Sequence, residues 1–309
     1  YNFIAHDLHP AFLSTRYAKE LAEHYNAKLI AVQHHEAHIA ATTSEPCIGI
    51  AIDGIGFGRD NAVWGGEIFA GSVPHFKRVA HLEYVPMPGG DLATRYPERM
   101  LYGILPQNEI LSMFKARGWD ETALNILKRQ VETKLNVLQT SSTGRVLDAV
   151  SALLGICRER TYDGEPAMRL EASAYLGSVE TWPIKIQLEG EVEVLSTREL
   201  VEEAFTKYLE IRRHISGNLE KVAADIAASF QFNLARGIAR LAINAARKYD
   251  MNKVAISGGV SYNEQIRETI RNEVDKEGLS IVMNHEYPLG DGCISFGQCI
   301  MAGLLAKEN

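Results

Sequence analysis

Two strand-rich blocks, each giving way to helical pattern, set the strongest limit on how this chain can fold. Each half also ends an apolar strand on a glycine turn. In the first half "CIGIAIDG" runs into Gly54, Gly56 and Gly58, then into the strands "NAVWGGEIFAGSV" and "FKRVAHLEYV". In the second half "KVAISGGV" carries Gly258 and Gly259 into a helix expected over 264–277, followed by the strand "SIVMN" and a closing helix from about Ser295. Repeated alternation of this kind points to an α/β architecture with two lobes facing one cleft.

The connecting segments agree. A helix is expected over 13–27, a strand at "KLIAVQ" and a second helix from His34. The middle reads as helix at "RYPERMLYGIL", "QNEILSMFKARG", "DETALNILKRQVET", "GRVLDAVSALLGICRER" and "PAMRLEASAYLG", with strands at "IKIQLEGEVEVL" and a long helix over 219–248. No repeat or low-complexity tract interrupts the pattern. With 46% hydrophobic and 23% charged residues, the chain has the make-up of a packed domain.

A net charge of −7, with no run of five like charges, argues against nucleic-acid binding as the main activity. The four cysteines, Cys47, Cys157, Cys293 and Cys299, form no C-x-x-C, which argues against thiolate metal sites and disulfide frameworks and for a reducing compartment. No signal peptide and no segment of eighteen apolar residues is read, so a cytoplasmic, non-membrane protein is expected. The chain begins at Tyr1 rather than Met, and it is expected to be a piece of something longer.

The candidate chemistry sits at the junctions. In "LIAVQHHEAHIAATTSE", His34 and His38 are four residues apart where a strand meets a helix, so both imidazoles fall on one helix face and can reach one cation. His35 is expected to point elsewhere. The order H-H-E-A-H puts Glu36 two residues after His34, which fails the H-E-x-x-H spacing of zinc peptidases. Oxygen donors are available in Asp53, at a strand end, and in Asp291, in the turn "NHEYPLGDGCISFGQ". The plain alternatives are ordinary helix histidines, turn carboxylates and glycines that need positive φ. The two glycine turns, one assigned to each lobe, could approach a phosphate closely. No convincing Ser-His-Asp or Cys-His arrangement is present.

The ordered motifs "HDLHPAFLSTRYA", "VQHHEAHIAA", "AIDGIGFGRDNAVWGGE", "VPMPGGDLATRYPERM", "GRVLDAVSALLGI", "YDGEPAMRLEA", "ISGGVSYN" and "DGCISFGQ" resemble the C-terminal domain family of HypF, the carbamoyltransferase of nickel–iron hydrogenase maturation. The resemblance spans nearly the whole chain. It implies a two-lobed actin-like (ASKHA) ATPase fold of the TsaD type, with a first lobe over residues 1–95 closed by a C-terminal helix at 295–309. Residues 96–294 would form the helical region and second lobe. The family has a further strand–turn before "DLHP", so the first lobe is expected without it or with it outside this chain.

The resemblance also implies roles. His34, His38, Asp53 and Asp291 would hold one divalent ion, iron or zinc, that polarises a carbonyl. Gly54 and Gly56 would lie beside phosphates; Gly258, Gly259 and Asn263 match the second nucleotide turn; Asp148 and Glu171 fall on the nucleoside side. Asp7, His9 and Asp91 lie in motifs near the substrate. The implied cofactors are ATP or AMP, as carbamoyl-adenylate, with Mg2+. The implied partners are carbamoyl phosphate handled by upstream modules and a HypE-type acceptor whose C-terminal cysteine takes the carbamoyl group. Competing readings are an O-carbamoyltransferase on a small-molecule hydroxyl, threonylcarbamoyl transfer to tRNA, and a non-catalytic ATP-dependent switch. Where the family usually has a third histidine and a second glycine, this chain has Glu36 and Cys293, and "GGVSYN" departs from the usual run before the asparagine. None of these touches an expected ligand.

Overall fold

A computed structural model describes residues 2–214 and 219–308. The chain opens with β1 (Phe3–Asp7), α1 (Leu13–Tyr25), β2 (Lys28–Val32) and α2 (His34–Thr42), then β3 (Cys47–Phe57), β4 (Val63–Ser72) and β5 (His75–Leu82). The middle comprises β6 (Val85–Pro88), α3 (Asp91–Arg95), α4 (Pro97–Ile104), α5 (Asn108–Ala116), α6 (Glu121–Thr133), β7 (Val137–Thr140), α7 (Thr143–Leu153) and α8 (Glu165–Ala174). It continues through β8 (Ile186–Glu189), β9 (Val192–Leu195), α9 (Thr197–His214), α10 (Leu219–Tyr249), β10 (Lys253–Ser257), α11 (Glu264–Lys276), β11 (Ser280–Met283) and α12 (Ile294–Glu308).

These elements form two compact units, Tyr1–His81 with Leu188–Val194 and Ile238–Asn309, and Leu82–Gln187 with Leu195–Gly237. The sheet of the first unit runs β11-β10-β3-β4-β5-β9-β8. β11, β10 and β3 are parallel, while β4 and β5 continue antiparallel. Parallel strands covered on both faces must be apolar throughout. Accordingly Ile48, Ile50, Ala51 and Ile52 of β3 and Val254, Ala255 and Ile256 of β10 are fully buried. A separate parallel pair, β1 with β2, places Asp7 opposite Val32, two residues before His34. In the second unit α7 packs against α4, α8 and α9, and β6 pairs antiparallel with β7.

Three expectations change here. Residues 238–294, assigned by sequence to the second lobe, join the unit that holds the histidines, because β10 pairs with β3 from Val254↔Ile48 to Ser257↔Ala51. Both glycine turns therefore lie at the carboxyl ends of adjacent strands of one sheet, not one in each lobe. The first of them is also not a turn. β3 continues through Phe57, and the reversal comes at Gly58–Ala62, where the Gly58 N–H donates to the Ala62 carbonyl. Between Ile52↔Gly66 and Gly56↔Trp64 the register shifts, so Asp53, Gly54 and Ile55 stand opposite Gly65 alone. That bulge re-aims the strand at Asp53.

Helix α2 is held from both sides. The Gln33 amide oxygen accepts the N–H groups of His35 and Glu36 at 2.7 and 2.9 Å, satisfying donors left open at the helix start. Behind it, α12 approaches so closely that a Cβ on Gly297 would lie 1.9 Å from the Ala37 carbonyl oxygen. Ile30, Val32, Ala37, Ala40, Met301 and Ala302 form the core between these elements.

Gly297→Ala should therefore cost about 1–3 kcal/mol, the usual range for overpacking, because α12 has to back away from α2. Gly54→Ala, where a Cβ would meet nothing within 4 Å, should leave the unfolding midpoint nearly unchanged. Urea unfolding of both variants checks the pair; equal midpoints would contradict the close helix contact.

Candidate metal centre

Four side chains from three segments of the first unit converge: His34 and His38 on α2, Asp53 in the β3 bulge, and Asp291 in the short 3-10 turn Asp291–Cys293 before α12. One ligand atom from each lies within 4.8 Å of all the others. Nε2 of His34 stands 3.4 Å from Asp53 Oδ2 and 3.6 Å from Asp291 Oδ1, and Nε2 of His38 repeats both distances. Neither Nε2 makes a hydrogen bond, although both are buried. These separations suit ligands around a common ion. Donors bonded tetrahedrally at about 2.0–2.1 Å stand about 3.3 Å apart.

The outer partners turn each ring so that Nε2 faces inward. His34 Nδ1–H donates to Asp7 Oδ2 at 2.9 Å. His38 Nδ1 lies 3.2 Å from Ser257 Oγ and 3.4 Å from Cys293 Sγ. Asp53 divides its oxygens: Oδ1 accepts the Gly259 N–H at 2.9 Å and Oδ2 faces the histidines. His34, His38 and Asp53 are buried, while the Asp291 side chain is 73% exposed, so the centre opens on the Asp291 side.

Electrostatics follow from this geometry. Burial disfavours a charged His34, but Asp291, Asp53 and Asp7 outweigh it and hold the imidazole well above its ordinary value. For His38, burial is likewise outweighed by Asp291, Asp53 and Cys293, and the ring is pushed up to about 10. Burial would raise Asp53, yet His34 and His38 hold it well below the usual carboxylate range. The same two histidines depress Asp291. Two carboxylates thus draw positive charge to one buried point, where protons on Nε2 and a divalent ion are alternatives.

His35 departs from expectation. It is fully buried, and its Nε2 lies 4.0 Å from Asp53 Oδ2. Gln33 Nε2 approaches its Nδ1 at 3.2 Å. Burial, and then the neighbouring His34, push His35 well below its ordinary value, so it is a neutral wall of the centre and not one of the four ligands. Gly56 makes room for this ring: a Cβ there would fall 2.3 Å from His35 Cε1.

The other expected residues divide by unit. Asp7 and His9 lie beside the centre; the His9 N–H donates to Asp7 Oδ1 at 2.9 Å, and the His9 ring stacks on Phe12. Asn263 caps α11, accepting the Ile266 N–H at 2.9 Å. Gly54 leaves open space next to Asp53. Asp91, Asp148 and Glu171 belong to the second unit and are not members of the cluster. There Asp91 is exposed in the first turn of α3, Glu171 is half-buried on α8, and Asp148 is fully buried 2.7 Å from the Arg145 guanidinium. Burial raises the Asp148 carboxyl against the pull of Arg145. Ser257 carried no sequence signal beyond its place before two glycines.

Residues 49–298 match the family model described as the second subdomain of the carbamoyltransferase Kae1-like domain, and residues 1–45 match the HypF Kae1-like domain model. The chain belongs to the HypF carbamoyltransferase family. It is 42% identical over 303 residues to the "Probable carbamoyltransferase HypF" of Methanocaldococcus jannaschii, covering 94% of this chain and 38% of that protein. Among solved structures, T. kodakarensis HypF superposes with a TM-score of 0.86 at 37% identity, over 99% of this chain and 40% of that one. A full-length HypF in its phosphate- and nucleotide-bound form gives 0.84 at 31%, over 99% and 39%. The α/β fold is thus that of the HypF Kae1-like domain, and the chain spans about two fifths of these relatives. Among the described residues no helix is long and apolar enough to cross a membrane.

The purified chain should hold about one equivalent of a transition metal, and His34→Ala with His38→Ala should lose it while keeping the parent's far-ultraviolet circular dichroism. Elemental analysis of both proteins checks this; metal retained by the double variant would remove the histidines from the site.

Proposed function

We propose that this chain is the carbamoyl-transfer module of a HypF-type enzyme, passing a carbamoyl group from carbamoyl-adenylate to the C-terminal cysteine of a HypE-type acceptor. The observation that carries the proposal is the convergence of His34, His38, Asp53 and Asp291 on one point with an open side. The donor set of two imidazoles and two carboxylates suits a divalent ion such as iron or zinc, and its charge balances at neutrality with that ion bound. When bound, the ion supplies Lewis acidity that polarises the carbamoyl carbonyl.

The chain's own residues would arrange the rest. Gly54 leaves a side chain's volume free beside Asp53, where an adenylate phosphate can approach. Gly56, Gly258, Gly259 and Asn263 are assigned to the nucleotide with it, and Asp148 and Glu171 to the nucleoside, with Mg2+ accompanying ATP. Asp7, His9 and Asp91 are assigned to the substrate side. The acceptor thiolate attacks the carbamoyl carbon; the S–C bond forms, the C–O bond to phosphate breaks, and AMP leaves with the electron pair. No nucleophile on this chain is needed. The nucleotide-bound state of a relative that this chain matches along 99% of its length supports the assignment.

Acceptor choice is the test. Carbamoyl phosphate, ATP and the upstream HypF modules are supplied with a HypE-type protein, a sugar-like alcohol or tRNA, and mass spectrometry reads which gains the carbamoyl group. Gain on the HypE-type cysteine alone is expected, falling by at least about a hundredfold in the His34→Ala, His38→Ala variant, on the scale of losing a major electrostatic contributor. Full transfer by that variant would overturn the metal-assisted reading, whereas ATP binding that survives loss of both histidines, with no acceptor gaining the group even in the parent, would favour a nucleotide switch instead.

A further inference from the structure

Resting on the metal reading, we infer that Asp7 and Ser257 are positioning residues, which hold the two histidines in the ring tautomer that keeps the Nε2 lone pair facing the ion. The proton inventory carries this. A carboxylate oxygen is an acceptor, so the 2.9 Å contact between Asp7 Oδ2 and His34 Nδ1 favours the proton on Nδ1. The hydroxyl of Ser257 has one proton and donates it to the Leu289 carbonyl at 3.1 Å. Towards His38 Nδ1, at 3.2 Å, Ser257 Oγ is then left to accept, as the Cys293 sulfur 3.4 Å from the same nitrogen also can, so a proton on His38 Nδ1 satisfies both neighbours.

Both outer partners are committed inside the protein. Asp7 is 5% exposed and its second oxygen accepts the His9 N–H at 2.9 Å, so each oxygen has a partner within the protein. Ser257 is fully buried at the end of β10. Its acceptor, the Leu289 carbonyl, also receives the Gly258 N–H at 2.8 Å and lies two residues before Asp291. One hydroxyl thus ties the orientation of His38 to the turn that presents Asp291. Outer contacts of this kind usually change metal affinity by about 10–100-fold.

Cobalt(II) titration of the full chain, followed by its visible absorption, tests the inference. Asp7→Ala and Ser257→Ala should each weaken cobalt binding by about 10–100-fold and shift the visible band, since ring orientation sets the ligand field. Asp7→Asn should recover part of the loss, because its amide oxygen still accepts from Nδ1. Parent-like affinity and an unchanged band in both alanine variants would overturn the inference. Should Asp7→Ala fail to fold, Asp7→Asn and Ser257→Ala decide it, and parent-like affinity and spectra in both would overturn it. Failure of the metal reading looks different and overturns both: the parent chain takes up no cobalt, or the His34→Ala, His38→Ala variant takes it up as well as the parent.

Discussion

Asp53 gives one oxygen to the N–H of Gly259 and turns the other toward His34 and His38, and the architecture around the centre depends on that division. The parallel pairing of β10 with β3 brings the end of one strand beside the other. The bulge at Asp53–Ile55 then lifts the carboxylate out of the ladder so that it can serve both neighbours. A regular hairpin would have pointed Asp53 by strand alternation alone, with no freedom to meet a helix that starts nineteen residues earlier in the chain.

Charge sets the second condition. Removing a carboxylate from water costs several kcal/mol in effect, and it is tolerated where opposite charge is close and well placed. Asp53 is buried together with His34 and His38, and only Asp291 reaches solvent. The raised values of both imidazoles express the same need as the depressed value of Asp53: positive charge is favoured at this point in whatever form it comes. His35, pushed the other way by burial and by its charged neighbour, contributes shape without adding to that charge.

Much of this was legible in the sequence, unevenly. The four-residue spacing of His34 and His38 announces a shared face because helix geometry is local. The elements α1, α10 and α11 follow from their apolar periods, and α9 carries one too at Leu200, Val201, Ala204 and Phe205, whereas α2 and α12 show little amphipathic period. Strand β1 is different: "FIAHD" has no alternation to read, and only its parallel pairing with β2 makes it a strand. The placement of both glycine turns in one sheet depends on a pairing between residues about two hundred positions apart, which no local pattern encodes. Asp291 could be named from the sequence only as one candidate oxygen donor, since a carboxylate in a Pro/Gly turn looks the same with or without a ligand role; the resemblance is what singled it out.

The glycines show where a motif and its physics part company. By resemblance, Gly258 and Gly259 belong to a nucleotide turn, yet here the Gly258 N–H is donated to Leu289 and the Gly259 N–H to Asp53. Gly258 is glycine for a steric reason, with φ of 102° and the Ile52 carbonyl 2.2 Å from where a Cβ would stand. Gly56 is glycine because His35 fills its side-chain volume. A phosphate bound at this turn, as proposed, would have to compete with Asp53 for the Gly259 N–H or take its donors elsewhere. Since Asp53 answers to both the turn and the histidines, a nucleotide that displaced it from Gly259 would also alter the oxygen it offers to a metal. Within the first unit, the nucleotide turn and the cation site would then be coupled through one side chain.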